Sequence, residues 1–246
     1  MRYLILSDIH SNKPALDAVL EDAAGHFDQI ICCGDLVGYG ADPNPVVDWA
    51  RSNVQAVVRG NHDKACAGLD DLEWFNPVAR RSAAWTMEHL TPGNAAYLRE
   101  LPQGPIPVNG YQILHGSPTD EDEYLVAAQE VARIRFYLNT KLSFFGHTHV
   151  QGGFLLVPSG VLRIPKTPPQ QTQQVLEFEN DVSYLINPGS VGQPRDGDSR
   201  AAYVIYNSSD NWLTYHRVVY DIARAQARIK EEHLPQMLAD RLGTGA

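Results

Sequence analysis

Short apolar runs alternate with amphipathic segments along the first sixty residues, and each run stops at a polar cluster. Tyr3 to Leu6 reads as a short buried strand. The polar turn Asp8-Ile9-His10-Ser11-Asn12 follows, and then a helix is predicted. Ser11 or Asn12 can cap it, Pro14 sits in its first turn, and Leu16, Val19, Leu20 and Ala23 form one apolar face. Gln29 to Cys33 is the next strand, stopped by Gly34-Asp35, and Asp42-Pro43-Asn44-Pro45 opens a second helix with Val46, Val47 and Trp49 apolar. Val54 to Val58 is a third strand, ending at Gly60-Asn61-His62-Asp63. Strand, helix, strand, helix, strand, with polar residues past every strand end, is the pattern of an α/β sheet whose site lies at the strand tips.

The character changes between Lys64 and about Leu101. Asn76-Pro77-Val78 opens a helical run through Leu90, and Thr91-Pro92-Gly93 opens another through Leu98. Trp74, Phe75, Trp85, Met87 and Tyr97 give this stretch an apolar surface of its own, so it reads as a helical insertion near the site within a single domain spanning 1–246. Strands resume at Ile106-Pro107-Val108 and Tyr111 to Leu114, the latter ending at His115-Gly116-Ser117. Ala127 to Leu138 is helical, and Leu142 to Phe145 is a strand ending at Gly146-His147-Thr148-His149. The remainder is mostly β: Gly153–Val157, Val161–Ile164, Gln173–Phe178, Tyr184–Ile186, Ala202–Tyr206 and Trp212–Val219, with a proline-rich loop at Pro165, Pro168 and Pro169. Asp221 to Leu234 reads as a closing helix. Two strand-rich halves predict two sheets packed face to face with helices outside.

Composition narrows the partners. The 246 residues carry 43% hydrophobic and 20% charged residues, ordinary for a globular chain with a real core. A formal net charge of -9 and the absence of a basic stripe argue against a nucleic-acid backbone as the main partner. The three cysteines, two of them adjacent at Cys32-Cys33, have no metal-knot or disulfide spacing, which points to a reducing cytoplasm. Cys32-Cys33 on a buried strand is read as core. The apolar start is too short for a signal peptide, and no run approaches a membrane span.

Five strand ends carry the chemistry: Asp8-x-His10, Gly34-Asp35, Gly60-Asn61-His62-Asp63, His115-Gly116 and Gly146-His147-x-His149. Five of the nine histidines fall in them. Any one alone is better read as a helix cap or a turn; five at successive strand ends are not. His62-Asp63 by itself fits the metal-binding pair of a helical phosphohydrolase, a histidine held by a carboxylate, or an idle polar turn. Carboxylate, imidazole and amide together suit Mn, Fe or Zn, whereas Ca or Mg would want mostly oxygen. There are too many ligands for one ion. Asp8, His10 and His149 can hold one, Asn61, His115 and His147 a second, and Asp35 can bridge. Two ions roughly 3.5–4 Å apart activate a water and clamp a phosphate oxygen. Two divalent ions against Asp8, Asp35 and a hydroxide leave the site cationic, suited to an anionic ester.

In this order the motifs resemble the calcineurin-like metallophosphoesterase superfamily, from Asp8 to His149 and without departure at these positions. The resemblance implies a four-layer α/β/β/α sandwich. It places Asp8, His10, Asp35 and His149 on one metal, and Asp35, Asn61, His115 and His147 on the other. It makes His62 the group that protonates the leaving oxygen or steadies the transition state, oriented by Asp63, while a metal-bridging hydroxide attacks phosphorus. The expected cofactors are two divalent or trivalent ions per chain, manganese first, with iron, zinc or nickel as alternatives. The segments Gly34 to Gly40 and Asn187 to Arg195 look like small bacterial and archaeal phosphodiesterase-type members. There the backbone of Asn187 to Ser190 can brace the site, Arg195 is a phosphate clamp or a surface ion pair, and Tyr39 faces substrate or packs. The expected activity is a phosphodiesterase or phosphatase acting on a small nucleotide-like ester. The competing readings are a dinucleoside polyphosphate hydrolase, a protein phosphatase, and a catalytically weak interaction scaffold. Asp120-Glu121-Asp122-Glu123 is read as a solvated loop, Trp74, Phe75 and Trp85 as insertion core, and His26, His89, His216 and His233 as surface or packing residues.

Overall fold

The computed structural model describes residues 1–246. The chain opens with β1 (Arg2–Leu6), α1 (Lys13–Asp22), β2 (Gln29–Cys32), α2 (Pro43–Asn53) and β3 (Ala56–Val57). Then come α3 (Asn61–Cys66), a 3-10 turn at Leu72–Trp74, α4 (Pro77–His89) and α5 (Pro92–Glu100). β4 (Ile106–Val108), β5 (Tyr111–Ile113), α6 (Ala128–Ile134) and β6 (Leu142–Phe144) follow. The rest is β7 (Gly152–Val157), β8 (Gly160–Ile164), β9 (Gln173–Glu177), β10 (Ser183–Asn187), β11 (Ala201–Asn207), β12 (Trp212–Val218), α7 (Ile222–Glu231) and α8 (Gln236–Leu242). No helix is long and apolar enough to cross a membrane.

The strands form two six-stranded mixed sheets, ordered β3-β2-β1-β11-β12-β9 and β4-β5-β6-β10-β7-β8. Side chains alternate between two cores. Tyr3 and Ile5 point between the sheets, with Ile31, Tyr111, Phe144, Ile186 and Tyr215. Leu4 and Leu6 point outward, into a cluster shared with Leu16 and Val19 of α1, Val46 and Val47 of α2, and Ile229 and Leu238 of α7 and α8. On the far side, Val131 and Ile134 of α6 cover Leu114, Phe145, Phe154 and Leu185. The result is the α/β/β/α sandwich. Strands buried on both faces explain why the sequence shows continuous apolar runs where strict alternation would mark a wet face. Each fully buried Leu or Ile contributes roughly 1.5–3 kcal/mol.

Within each sheet one block is parallel: β1, β2 and β3 in the first, β5, β6 and β10 in the second. All six carboxyl ends deliver the polar turns to one edge of the sandwich. The helix starts are set as the sequence predicts, with Asn12, Asn76, Thr91 and Asp221 each accepting a backbone N–H of the first turn. Ala79, Ala83, Leu90, Leu98 and Leu101 from the 64–101 stretch join the same apolar cluster as α1 and α2.

Four expectations need correction. β3 is two residues long where Val54 to Val58 was expected, and Asn61, His62 and Asp63 form the first turn of a helix, where a strand-tip turn was expected. Asp63, three residues past Gly60, draws the Gly60 N–H and starts that helix. The helix expected over Ala127 to Leu138 stops at Ile134 and tightens into a 3-10 turn. A further helix, α8, follows Pro235 where nothing was anticipated.

Candidate metal centre

Seven site or site-adjacent residues stand in the left-handed backbone region: Asp8, His10, Ser11, Asp35, Tyr39, His147 and His149, with φ between 49° and 65°. Such conformations cost non-glycine residues about 1–2 kcal/mol each, and they cluster where a fold forces side chains toward a site. Backbone bonds hold the turns together: Asp8 N–H to Gly34, His10 N–H to Asp35 and Ser11 N–H to Leu36, at 2.9–3.0 Å. Two glycines make room. A Cβ on Gly60 would fall 2.0 Å from Asp35 Oδ1, and one on Gly38 (φ +89°) would fall 2.4 Å from His62 Nδ1.

The four candidate ligand histidines are each fixed by one ring nitrogen. His10 Nδ1 donates to the Val37 carbonyl (2.9 Å), His115 Nδ1 to Cys33 (2.7 Å) and His149 Nδ1 to Gln193 (2.6 Å). A carbonyl can only accept, so the Nε2 of each neutral ring is a bare lone pair aimed inward. His147 is turned the other way: its Nε2 donates to the Asp122 carbonyl at 3.0 Å, leaving Nδ1 bare. His10 and His149 therefore oppose two bare Nε2 atoms 3.0 Å apart, an arrangement that repels unless a cation lies between.

The donors fall into two sets. Asp8, His10, Asp35 and His149 bring ligand atoms within 4.8 Å of one another, and Asp35, His115 and His147 do the same. Asp35 belongs to both. Asn61 Oδ1 lies 3.3 Å from His115 Nε2, beside the second set. Asp8 and Asp35 each spend one oxygen on a backbone N–H, of His147 (3.2 Å) and His62 (2.9 Å) respectively. The other oxygen of each, Oδ2, is buried without a partner. Unpartnered buried carboxylate oxygens facing bare imidazole nitrogens are what a metal pair would satisfy, so the residues fit two ions. Electrostatics without ions agree. Burial pushes Asp8 up to about 7. Burial works against charge on both Asp35 and His115, yet their pairing at 3.4 Å holds Asp35 well below the usual carboxylate range and lifts His115 to about 10.

His62 lies against Tyr39 (ring centroids 4.3 Å apart), Phe75 and His10 (both 4.9 Å), with Nδ1 unpartnered. Burial lowers it to about 4. Asp63 was expected to orient this ring, and it does not. Its oxygens accept from the Val37 N–H (3.1 Å) and the Gly60 N–H (3.0 Å), so it ties together the two loops that carry Asp35 and His62. What seats His62 is the space over Gly38 and the Tyr39 ring. Tyr39 packs on His10 and His62 and also lines the cavity before the site. Arg195 lies over the Tyr39 ring at 5.4 Å and bonds Gln193 Oε1 at 3.0 Å; no Asp or Glu pairs with it. The bracing expected from the backbone of Asn187 to Ser190 comes from side chains instead, while the neighbouring Val191 and Gly192 N–H groups donate to the Ser7 and Asp8 carbonyls. Asn187 Nδ2 donates to the Gly146 carbonyl and Thr148 Oγ1, and Ser190 Oγ to the Asp8 carbonyl.

Two stretches differ from their sequence reading. Asp120 and Asp122 are exposed, as a solvated loop requires, but Glu121 is buried against Arg59 (2.8 Å), and the Asp122 carbonyl fixes His147. Trp74 is not core but 88% exposed. It lines a cavity of about 510 Å³ together with Phe75, Tyr39, Tyr124, Asn61, His62 and His147. Arg241 of α8 bonds the same Gln193 Oε1 as Arg195, at 3.0 Å, a contact that sequence reasoning does not supply. Nothing in its local sequence marks it, because only the packing of α8 brings it there.

Two buried donor sets sharing one aspartate, held at the carboxyl ends of parallel strands in an α/β/β/α sandwich, define a metallophosphoesterase-type centre. Residues 1–211 match the calcineurin-like phosphoesterase superfamily domain, and the chain belongs to that family. The chain is 40% identical to a metallophosphoesterase from Sphaerobacter thermophilus, with a TM-score of 0.87 and coverage of 100% of this chain and 99% of that one. It is also 35% identical to an uncharacterized protein of Methanocaldococcus jannaschii, across 98% of this chain and 97% of the relative. A hypothetical protein from Pyrococcus horikoshii OT3 shares the fold at 19% identity, with a TM-score of 0.78 and coverage of 100% and 98%.

Proposed function

We propose that this chain is a binuclear metal-dependent phosphoesterase that hydrolyses a small, nucleotide-like phosphate ester. The observation that carries the reading is the shared Asp35: its carboxylate belongs to both sets of inward-facing donors, and its Oδ2, like that of Asp8, has no hydrogen-bond partner among protein groups. Asp8, His10, Asp35 and His149 would hold one ion, and Asp35, Asn61, His115 and His147 the other. When bound, such ions supply Lewis acidity toward a phosphoryl oxygen and a water acidic enough to act as nucleophile at neutral pH.

The chain's own groups do the rest. The carbonyls of Val37, Cys33, Gln193 and Asp122 fix the imidazole tautomers, so the ligand atoms are placed before any ion arrives. His62, kept neutral by burial, serves through its one ring N–H as hydrogen-bond donor to the leaving oxygen, held by Gly38 and Tyr39 at the cavity that admits the ester. Arg195, without a carboxylate partner, clamps a phosphate oxygen through its planar fork. A cavity of about 510 Å³ suits a small molecule. The free, buried thiols of Cys32, Cys33 and Cys66 support a reducing compartment.

The test is hydrolysis by purified, metal-reconstituted protein across a panel of an aryl monoester, an aryl diester, a dinucleoside polyphosphate and a phosphopeptide. Turnover of at least one small ester, abolished by chelation and restored by manganese, is the expected result. Turnover of the phosphopeptide alone would overturn the small-ester assignment, and no metal-dependent turnover of any member would overturn the hydrolase reading.

A further inference from the structure

The largest exposed aromatic side chain of the molecule stands at the mouth of the metal centre. Trp74 is 88% exposed, although tryptophan is ordinarily among the more buried residues. Its backbone is far from loose. Asp71 caps the 3-10 turn by accepting the Glu73 N–H at 2.9 Å. Arg80 ties the same turn down through the carbonyls of Leu72 (3.0 Å) and Glu73 (2.6 Å). A rigid turn thus presents a bare indole to the cavity that also holds Asn61, His62 and His147.

The position has a direction. Phe75, the next residue, packs edge-on against His62, with ring centroids 4.9 Å apart at 85°. Tyr124 lies on His147 at 3.8 Å and contributes to the same cavity. The two rim carboxylates, Asp70 and Asp122, are both tied to Lys64, at 2.9 Å and 2.6 Å, which moderates their repulsion of an anionic ester. A group leaving beside His62 would therefore enter a cavity walled by Phe75 and Trp74.

We infer that Trp74, backed by Phe75, is the stacking wall for a planar ring carried on the leaving-alcohol side of the substrate, the ring of a nucleoside. This rests on the phosphoesterase reading and names the substrate class within it. Trp74 is a specificity-determining residue here; it touches the organic part of the ester, away from the reacting phosphorus. Stacking of one base on an aromatic side chain contributes about 1–3 kcal/mol, or ~5–150-fold in affinity.

The experiment compares two esters with the same leaving oxygen and different appendages, adenosine 5′-monophosphate and ribose 5-phosphate, together with the methyl diesters of both. Metal-reconstituted wild type is expected to favour the adenine-bearing member by ~5–150-fold in kcat/KM. Trp74→Ala is expected to remove most of that ratio, chiefly through KM, with metal content equal to wild type, and Trp74→Phe to keep part of it. Because Trp74 is exposed, Trp74→Ala is expected to keep the wild-type melting temperature, which checks that the variant folds. Hydrolysis with no preference for the adenine compound, or a preference untouched by Trp74→Ala, overturns the stacking wall while leaving the hydrolase reading intact. If no ester is hydrolysed, the hydrolase reading fails, and calorimetric binding of the same two monoesters decides the wall. Equal dissociation constants would overturn it, and tighter adenosine 5′-monophosphate binding that Trp74→Ala abolishes would support it.

Discussion

Gly38→Ala offers a way to move His62 without touching it. A Cβ at residue 38 would stand 2.4 Å from His62 Nδ1, 2.9 Å from Cγ and 3.1 Å from Cβ. Carbon contacts prefer about 3.5–4.0 Å, so the ring must retreat by roughly 1 Å. The backbone adds to the strain, since φ is +89° there. An alanine at positive φ costs about 1 kcal/mol, and crowding a packed site costs about 1–3 kcal/mol more. The variant is expected to lose about 2–4 kcal/mol, a fall of roughly 4–16 °C in Tm for a chain of this size. A donor misplaced by about 1 Å loses roughly 10²-fold in rate, so kcat should fall by that order while both ions stay bound. The assay is a double-mutant cycle with His62→Ala, reading Tm, metal content and kcat. With the ring gone, Gly38→Ala should cost the backbone share, about 1 kcal/mol, plus what remains of the 3.1 Å contact with the Cβ of residue 62, and should slow the enzyme no further. An equal stability loss in both backgrounds would refute the steric argument, and an undiminished kcat in Gly38→Ala would refute the role given to the position of His62.

Three other outcomes follow from the same geometry. His62→Ala should retain the metals and lose about 10²–10⁴-fold in kcat; normal turnover would remove His62 from the mechanism. Without metal, Asp35 keeps a proton on His115 up to about pH 10, and an ion needs the bare Nε2. Proton and metal compete, so affinity should rise with pH by up to ~10-fold per unit between pH 6 and 8; titrations giving a flat or falling affinity would contradict this. Ser11 has a buried Oγ without partner and a φ of 52°. Ser11→Gly removes an unpaired hydroxyl (~1–3 kcal/mol) and relieves the backbone (~1 kcal/mol) against ~0.5–1 kcal/mol of added chain entropy. A net gain of about 1–3.5 kcal/mol, roughly 2–14 °C in Tm, is expected in thermal unfolding; a lower Tm would show that the hydroxyl is satisfied.

The strand ends were legible because burial on both faces writes continuous apolar runs, and the fold then lets only polar residues stand past their tips. Asp8, His10, Asp35, His115, His147 and His149 could be named on that ground, and the structure brings them together. The work of Asp63 was not legible. Adjacency to His62 suggests a carboxylate–imidazole pair, but on the first turn of a helix neighbouring side chains point about 100° apart, and Asp63 turns to backbone N–H groups instead. The exposure of Trp74 is hidden from the sequence for a different reason. An apolar side chain reads as core unless its element is known to be a short turn at a cavity mouth. The carbonyls of Val37, Cys33, Gln193 and Asp122 carry no signal in side-chain identity at all. The left-handed residues were hidden too, because Asp, His and Tyr occupy positions where glycine would have announced the turn.

The central claim is that one aspartate joins two ions. Metal content per chain, measured after reconstitution with manganese on wild type and Asp35→Asn side by side, tests it most directly. Two ions are expected in the wild type, and fewer than one in a variant that keeps its fold by circular dichroism. A variant that still binds two ions and retains full activity would contradict it.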